Sequence, residues 1–193
     1  MKKRDEVSYY QEIMDFIKTQ IESNFLASDK PLKVYSKTGE LRKGLQEIIR
    51  ENGITSPSIV NFASQTPPLS LDIFTLVTDG TRFQLLIEEI KLLSSVGLTQ
   101  LSQLIGYTIV ARAKYGLLIN VNGGESPRLT NLLLNDPDLL HTKQILLDGK
   151  EVTHCYGVME WEPMTKNLIY TGHGPIGTMA DLCGLLEKDF DTL

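Results

Sequence analysis

Cysteine is scarce in this chain, with Cys155 and Cys183 the only two among 193 residues. Two thiols build neither a disulfide framework nor a four-thiolate metal site, so a reducing, intracellular, cytoplasmic setting is the simplest expectation. Histidine is as rare, with three in all. His154, Cys155 and His173 complete no four-ligand zinc spacing, and scattered histidines offer no Ser/His/Asp arrangement. No apolar run reaches the length of a membrane helix, and the opening MKKRDEVSYYQEI has basic residues without the apolar core of a signal peptide. Positive charge is not in excess either. The formal net charge of −5 argues against indiscriminate nucleic-acid binding, because phosphate contacts come mainly from Lys and Arg. The glycine-rich GHGPIG (172–177) lacks the lysine and the strand-then-helix setting of a phosphate loop and reads as a plain turn. Internal repeats and low-complexity linkers are missing as well.

What is present fits one globular domain with a sizeable core, since 41% of residues are hydrophobic and 22% charged. The charge is unevenly spread. Residues 136–193 hold ten acidic and four basic side chains, whereas KPLKVYSKTGELRKGLQEIIR (30–50) has six basic and two acidic. That second stretch could meet a polyanion or form an ordinary solvated surface.

Periodicity predicts a long amphipathic helix over 5–26, where Tyr10, Met14, Ile17, Ile21 and Phe25 recur on one face, either as core or as a homodimer seam. A second helix is expected over 39–52, ending at Asn52-Gly53. SIVNFAS (58–64) reads as a strand broken by Thr66-Pro67-Pro68. LDIFTLV and FQLLIEEIK form a hairpin around Asp79-Gly80. Residues 98–113 return to helical spacing, and YGLLINV (115–121) is a compact apolar strand reached by a crossover. Beyond 125, short helices broken at Pro137, strands in KEVTHCYGVMEW and NLIYT, and a last helix capped by Thr178 and Asp181 are expected. The fold class is therefore α/β, a mixed central β-sheet flanked by helices.

The ionisable residues at the hairpin's ends raise a question, because a buried charge is costly unless paired or bound to metal. Glu89 and Lys91 share one strand face, and the partner strand can bring Asp72 beside them. Two carboxylates suit a hard cation such as Mg²⁺, and the ammonium can orient water or offset developing charge. A surface hairpin with a Glu89–Lys91 pair is the plainer alternative. On the following helix Gln103 and Tyr107 lie four apart, with Gln100 and Lys114 extending a polar stripe, either at the margin of that site or as an ordinary polar flank.

The succession Asp72, Glu89-Ile90-Lys91, Gln103-Leu104-Ile105-Gly106-Tyr107 and YGLLINV resembles the PD-(D/E)XK nuclease superfamily, and its QxxxY feature is most similar to the RecB-like branch. The resemblance covers about residues 38–121 and implies a restriction-endonuclease-like αβββαβ core. That core would sit in a single 1–193 nuclease domain, with an N-terminal helix over 1–30 and a C-terminal extension over 126–193 packed on it. It implies Asp72, Glu89 and Ile90 as metal-binding positions for Mg²⁺ or Mn²⁺, Lys91 as the group assisting water, and Gln103 and Tyr107 bordering the site or touching DNA. A glutamate on the helix before the first core strand is also implied, with Glu40 favoured over Glu47. The implied activity is hydrolysis of DNA phosphodiester bonds, endonucleolytic on duplex or branched DNA, leaving 5′-phosphate and 3′-hydroxyl ends. The chain departs from the adaptation nucleases of that branch in lacking four iron–sulfur cysteines, and from the superfamily pattern in having Leu71 where proline is usual, with Pro67 and Pro68 just upstream. The alternative is a non-catalytic nucleic-acid-binding or assembly module that keeps the fold.

Overall fold

The structure, a computed structural model, describes residues 4–26, 31–146 and 149–191. A 3-10 turn (Glu6–Tyr9), capped by the Asp5 side chain, leads into helix α1 (Tyr10–Asn24). Strand β1 (Lys33–Glu40) follows, then helices α2 (Leu41–Glu51) and α3 (Pro57–Gln65). The hairpin β2 (Ser70–Thr78) and β3 (Phe83–Lys91) leads to α4 (Leu98–Ala111) and β4 (Tyr115–Val121). After α5 (Pro127–Asn135) and a 3-10 turn (Pro137–Leu140) come β5 (His141–Ile145), β6 (Glu151–Glu162), β7 (Asn167–Tyr170) and α6 (Met179–Asp191).

The strands form one mixed sheet in the order β1-β2-β3-β4-β6-β5, with β7 paired to the far part of β6. β1, β2 and β3 are mutually antiparallel, β3, β4 and β6 run parallel, and β5 and β7 oppose β6. Helices cover both faces. Ile13, Ile17 and Ile21 of α1 and Leu182 and Leu186 of α6 pack with Ile73, Val77 and Ile119 on one side. Leu45 of α2, Ile59 of α3, Leu104 of α4 and Leu129 of α5 pack with Phe74, Ile87 and Leu118 on the other. Each fully buried isoleucine of α1 contributes about 1.5–3 kcal/mol by leaving water. Of the two readings of the stripe, core or dimer seam, these contacts match the first.

Several local expectations change. SIVNFAS lies in α3, because Pro57 occupies the first helical turn and Ile59 and Ala63 are buried four residues apart, a helical rather than an alternating period. Thr66, extended before Pro67, ends it. The strand that precedes β2 in the sheet is instead KVYSKTGE, whose polar residues suit an edge strand with one open side. HTKQI, inside the stretch expected as short helices, is the opposite edge strand. Residues 126–193, expected to pack on the core, supply three strands and two helices to the sheet and its cover. Gly80 takes φ +96° in the β2–β3 turn, where Asp79 accepts from the Thr81 and Arg82 N–H groups. Thr178 accepts from the Asp181 N–H at 3.1 Å and opens α6 as the capping spacing predicts.

Candidate metal centre

β2 and β3 pair with Ile73 opposite Glu88, so Asp72 and Glu89 meet where β2 begins and β3 ends. β1 steps from Lys37 to Gly39 while β2 steps from Phe74 to Leu71, an extra residue in the interval that holds Asp72. Such a bulge breaks the ladder and re-aims a side chain. Asp72 uses it to reach the main chain of β3, and its Oδ2 accepts from the Ile90 N–H at 3.0 Å. Lys91 Nζ lies 3.5 Å from the same oxygen and makes an ion pair with Glu89 Oε1. Ile90 has a hydrocarbon side chain, so it could offer an ion only its main-chain oxygen.

Burial sets the electrostatics. Glu89 is 1% exposed, whereas Asp72 keeps about a quarter of its side-chain exposure and Lys91 18%. Desolvation pushes the Glu89 carboxyl above the ordinary range, Lys91 opposes that, and the charges of Asp72 and Glu6 add to it. For Lys91 burial pulls downward, but Glu89, then Asp72 and Glu6, leave its ammonium raised. Lys91 therefore stays charged over the whole physiological range. Next to this exposed end Glu88 is wholly buried and pushed up to about 8 by desolvation, with Thr75 Oγ1 donating to its Oε1 at 2.6 Å. Glu88 is a buried structural acid held from the Asp72–Glu89–Lys91 group by the alternation of the strand.

The two glutamates considered for the helix position have other partners. Glu40 caps α2, its Oε1 accepting from the Arg42 and Lys43 N–H groups at 3.0 and 3.3 Å. Glu47 is 3.0 Å from Lys37, which Glu51 also contacts at 3.0 Å. Those pairs also neutralise part of the basic stretch over 30–50. Besides Asp72, the charge of Glu6, in the turn before α1, acts on both Glu89 and Lys91. Tyr10, nearly buried, donates its hydroxyl to Glu6 Oε1 at 3.2 Å, and the charge of Asp72 adds to the burial that raises its pKa. From the sequence Tyr10 is placed only on the apolar stripe of the first helix and Glu6 carries no role, although the two sit four apart, the spacing of side chains that touch.

The residues of the α4 polar stripe bond among themselves and to other partners. Gln103 Nε2 donates to Tyr107 Oη at 3.2 Å, as the four-residue spacing allows, but among the described residues neither is hydrogen-bonded to Asp72, Glu89 or Lys91. Gln100 instead turns back to accept from the Gly97 N–H at 3.0 Å, closing the start of α4. Lys114 pairs with Asp189 of α6. His154 bonds the Ala113 carbonyl through Nδ1 at 2.6 Å, and His173 lies 3.8 Å from Glu125, so the residues weighed for zinc are dispersed.

Comparison of the chain with protein-family models, curated proteins and solved structures gives no match. The functional reading therefore rests on the donor set itself. Among the described residues no three His, Cys, Asp or Glu side chains stand close enough to hold a metal ion together. Asp72 and Glu89 supply two hard oxygen ligands at one strand end, and Mg²⁺ is commonly bound by one or two carboxylates while keeping several waters. A nearly buried carboxylate raised by desolvation is the kind of group that a cation stabilises. The donor chemistry fits such an ion. No helix among the described residues is long and apolar enough to cross a membrane.

Proposed function

We propose that this chain is a metal-dependent deoxyribonuclease of the PD-(D/E)XK kind, hydrolysing phosphodiester bonds in duplex or branched DNA. The observation that carries the reading is the convergence of Asp72, Glu89 and Lys91 at the adjoining ends of two core strands, with Glu89 1% exposed. The element order supports it. With β1 in place of residues 58–64 as first strand, α1-β1-β2-β3-α4-β4 has the αβββαβ sequence of that fold, with α2 and α3 between β1 and β2.

Asp72, Glu89 and the main-chain oxygen of Ile90 would hold Mg²⁺ or Mn²⁺, which supplies Lewis acidity toward the phosphodiester and lowers the pKa of water. Lys91, kept protonated by its carboxylate neighbours, offsets negative charge that develops on the phosphoryl oxygens in the transition state. Asp72 is oriented by the Ile90 N–H and by the Lys91 ammonium on the same oxygen. Gln103 and Tyr107, braced against each other on α4, are assigned to contact with the DNA strand.

The test is cleavage of a panel of linear, single-stranded and branched DNAs with Mg²⁺, Mn²⁺ or EDTA, beside Mn²⁺ calorimetry. Asp72→Asn and Glu89→Gln are expected to abolish cutting and to weaken Mn²⁺ binding. A parent protein that binds DNA but cuts nothing with either metal would establish the non-catalytic module instead.

A further inference from the structure

Between the start of α4 and helix α5 lies a groove of about 810 Å³, within the span of about 300–1,000 Å³ that encloses a small organic ligand. Its place follows from the topology. β3 ends at Lys91 and α4 begins at Leu98, while β4 ends at Val121 and α5 begins at Pro127. The two connections are tied together. Val96 bridges Glu125, the Val96 N–H donates to the Gly124 carbonyl at 3.1 Å, and the Ser126 N–H donates to the Val96 carbonyl at 2.8 Å. The groove therefore lies at the carboxyl ends of the parallel strands, the end that carries Glu89 and Lys91. It is also on their side of the sheet. Leu85 and Ile87 of β3 pack with Leu104 of α4 and Leu129 of α5, and alternation puts Glu89 and Lys91 on that same face. Along α4, Thr99 of the groove is followed at four-residue steps by Gln103 and Tyr107, so this wall continues into the pair assigned to DNA.

The lining has a consistent chemistry. Leu98, 47% exposed, and Leu132 supply apolar surface, and Thr99, Ser102 and Asn131 supply neutral donors and acceptors. Arg128 is the one charged side chain among the described residues that line it, although the chain holds 24 acidic residues. Lys37, Lys91 and Lys143 each pair with a carboxylate. Among the described residues the Arg128 guanidinium and the Asn131 side-chain amide have no such partner. We propose that this groove receives one unpaired nucleotide of the DNA strand, its base against Leu98 and Leu132 and read by Asn131, with Arg128 on its phosphate. The inference rests on the deoxyribonuclease reading and narrows its substrate to DNA with an unpaired nucleotide beside the cut. A base taken out of the stack is held by apolar side chains and by hydrogen bonds to its edge. A planar amide presents a donor and an acceptor side by side, the pattern that meets N6 and N7 of adenine. A guanidinium offers parallel donors to phosphate oxygens. A perfectly paired duplex must first unstack a base to use the groove, whereas a single strand, a bulge or a branch point has one free.

The experiment measures binding to the full chain in EDTA by fluorescence anisotropy, so that the result does not depend on metal at Asp72 and Glu89. Three labelled DNAs are compared: an adenine-containing single strand, a perfect duplex, and the same duplex carrying one unpaired adenine. The duplex with the unpaired adenine should bind about tenfold tighter than the perfect one. Asn131→Leu, which keeps the bulk and removes the amide, should weaken binding of the unpaired adenine by about fivefold or more and leave the perfect duplex unchanged. Arg128→Ala should weaken the single strand and lower the slope of log affinity against log salt by about 0.7, the share of one phosphate contact. Both residues are exposed, so neither substitution disturbs the core. Equal affinity for the two duplexes, or unchanged affinity for the unpaired adenine in Asn131→Leu or for the single strand in Arg128→Ala, overturns the inference, and cleavage by the parent with Mn²⁺ then leaves the nuclease reading standing. Tighter calorimetric binding of deoxyadenosine monophosphate than of the single strand assigns the groove to a free nucleotide and overturns its place on the strand. Asn131-dependent binding of the unpaired adenine by a parent that cuts nothing with Mg²⁺ or Mn²⁺ supports the groove and overturns the nuclease reading alone.

Discussion

Asn120 offers a measurable check on how the candidate site is walled. It is fully buried in β4, directly opposite Lys91 of β3 in the parallel register. Its Oδ1 accepts from the Leu93 N–H and its Nδ2 donates to the Leu93 carbonyl, each at 3.0 Å. Leu93 itself is 42% exposed, so its main chain is held by this amide more than by side-chain packing. Asn120→Ala deletes two hydrogen bonds worth about 1 kcal/mol each net, and any Leu93 group left dry adds about 1–3 kcal/mol. The expected loss is therefore about 2–4 kcal/mol, which in a domain of this size lowers the thermal midpoint by roughly 5–15 °C. Urea unfolding followed by circular dichroism gives the free energy. Asn120→Asp separates the two bonds. Its ionised carboxylate can still accept from the N–H but faces the carbonyl without a proton, so it should be at least as damaging as Ala at pH 8. The damage should ease on acidification, because a buried carboxyl has a raised pKa and is a donor once protonated. A loss below about 1 kcal/mol for Asn120→Ala would show that Leu93 is not anchored by this amide.

The sequence made some of this legible because local chemistry and tertiary role agreed. LDIFTLV and FQLLIEEIK alternate or run apolar around Asp79-Gly80, and both become buried central strands. YGLLINV is buried at every position in β4. Where they disagreed the reading missed. β1 and β5 are edge strands, and an edge strand's polar outer side erases the apolar signal that marks a strand. Residues 58–64 contain adjacent β-branched Ile59 and Val60, which suggested a strand, but Pro57 and the Ile59–Ala63 spacing won, leaving Val60 42% exposed.

The site divides in the same way. Strand periodicity alone puts Glu89 and Lys91 on one face, and the structure brings Asp72 to them. Glu6 could not be placed from local pattern, because its nearness to Glu89 depends on how α1 lies against the sheet, across more than eighty residues of chain. Glu40 and Glu47 looked suitable as helix carboxylates, yet each satisfies a local need, a helix cap for one and Lys37 for the other. Gln103 and Tyr107 touch as helical spacing requires, and a spacing rule carries no information on what lies beyond the pair.

Three more predictions separate these roles. Glu40→Ala, which removes the α2 cap, should cost about 1 kcal/mol by urea unfolding while leaving Mn²⁺ affinity unchanged, and a loss of Mn²⁺ binding would return Glu40 to the site. His154 is fully buried, and desolvation lowers its pKa below the ordinary 6.5 despite its bond to the Ala113 carbonyl. The folded protein thus resists protonation there. Its stability is present above pH 6.5 and falls as the unfolded chain takes up the proton below that, by up to about 1.4 kcal/mol per pH unit. His154→Gln should flatten that part of the stability–pH curve, whereas an unchanged slope would assign the acid loss to other groups. Lys91→Ala distinguishes chemistry from anchoring. The ammonium lies on the Glu89 side of β3, where the proposed reaction develops charge, so single-turnover cleavage should fall by about two or three orders of magnitude. DNA affinity should change only a few-fold, since one phosphate contact among many is a small share of binding. The variant also strips Glu89 of its partner, so a rise in unfolding on urea titration should accompany the lost rate and should be reversed by Mn²⁺, a cation taking over the compensation of the buried carboxylate. If Lys91→Ala binds DNA far more weakly yet cuts the bound strand at the parent's rate, the lysine is a phosphate contact and the transition-state role assigned to it is wrong.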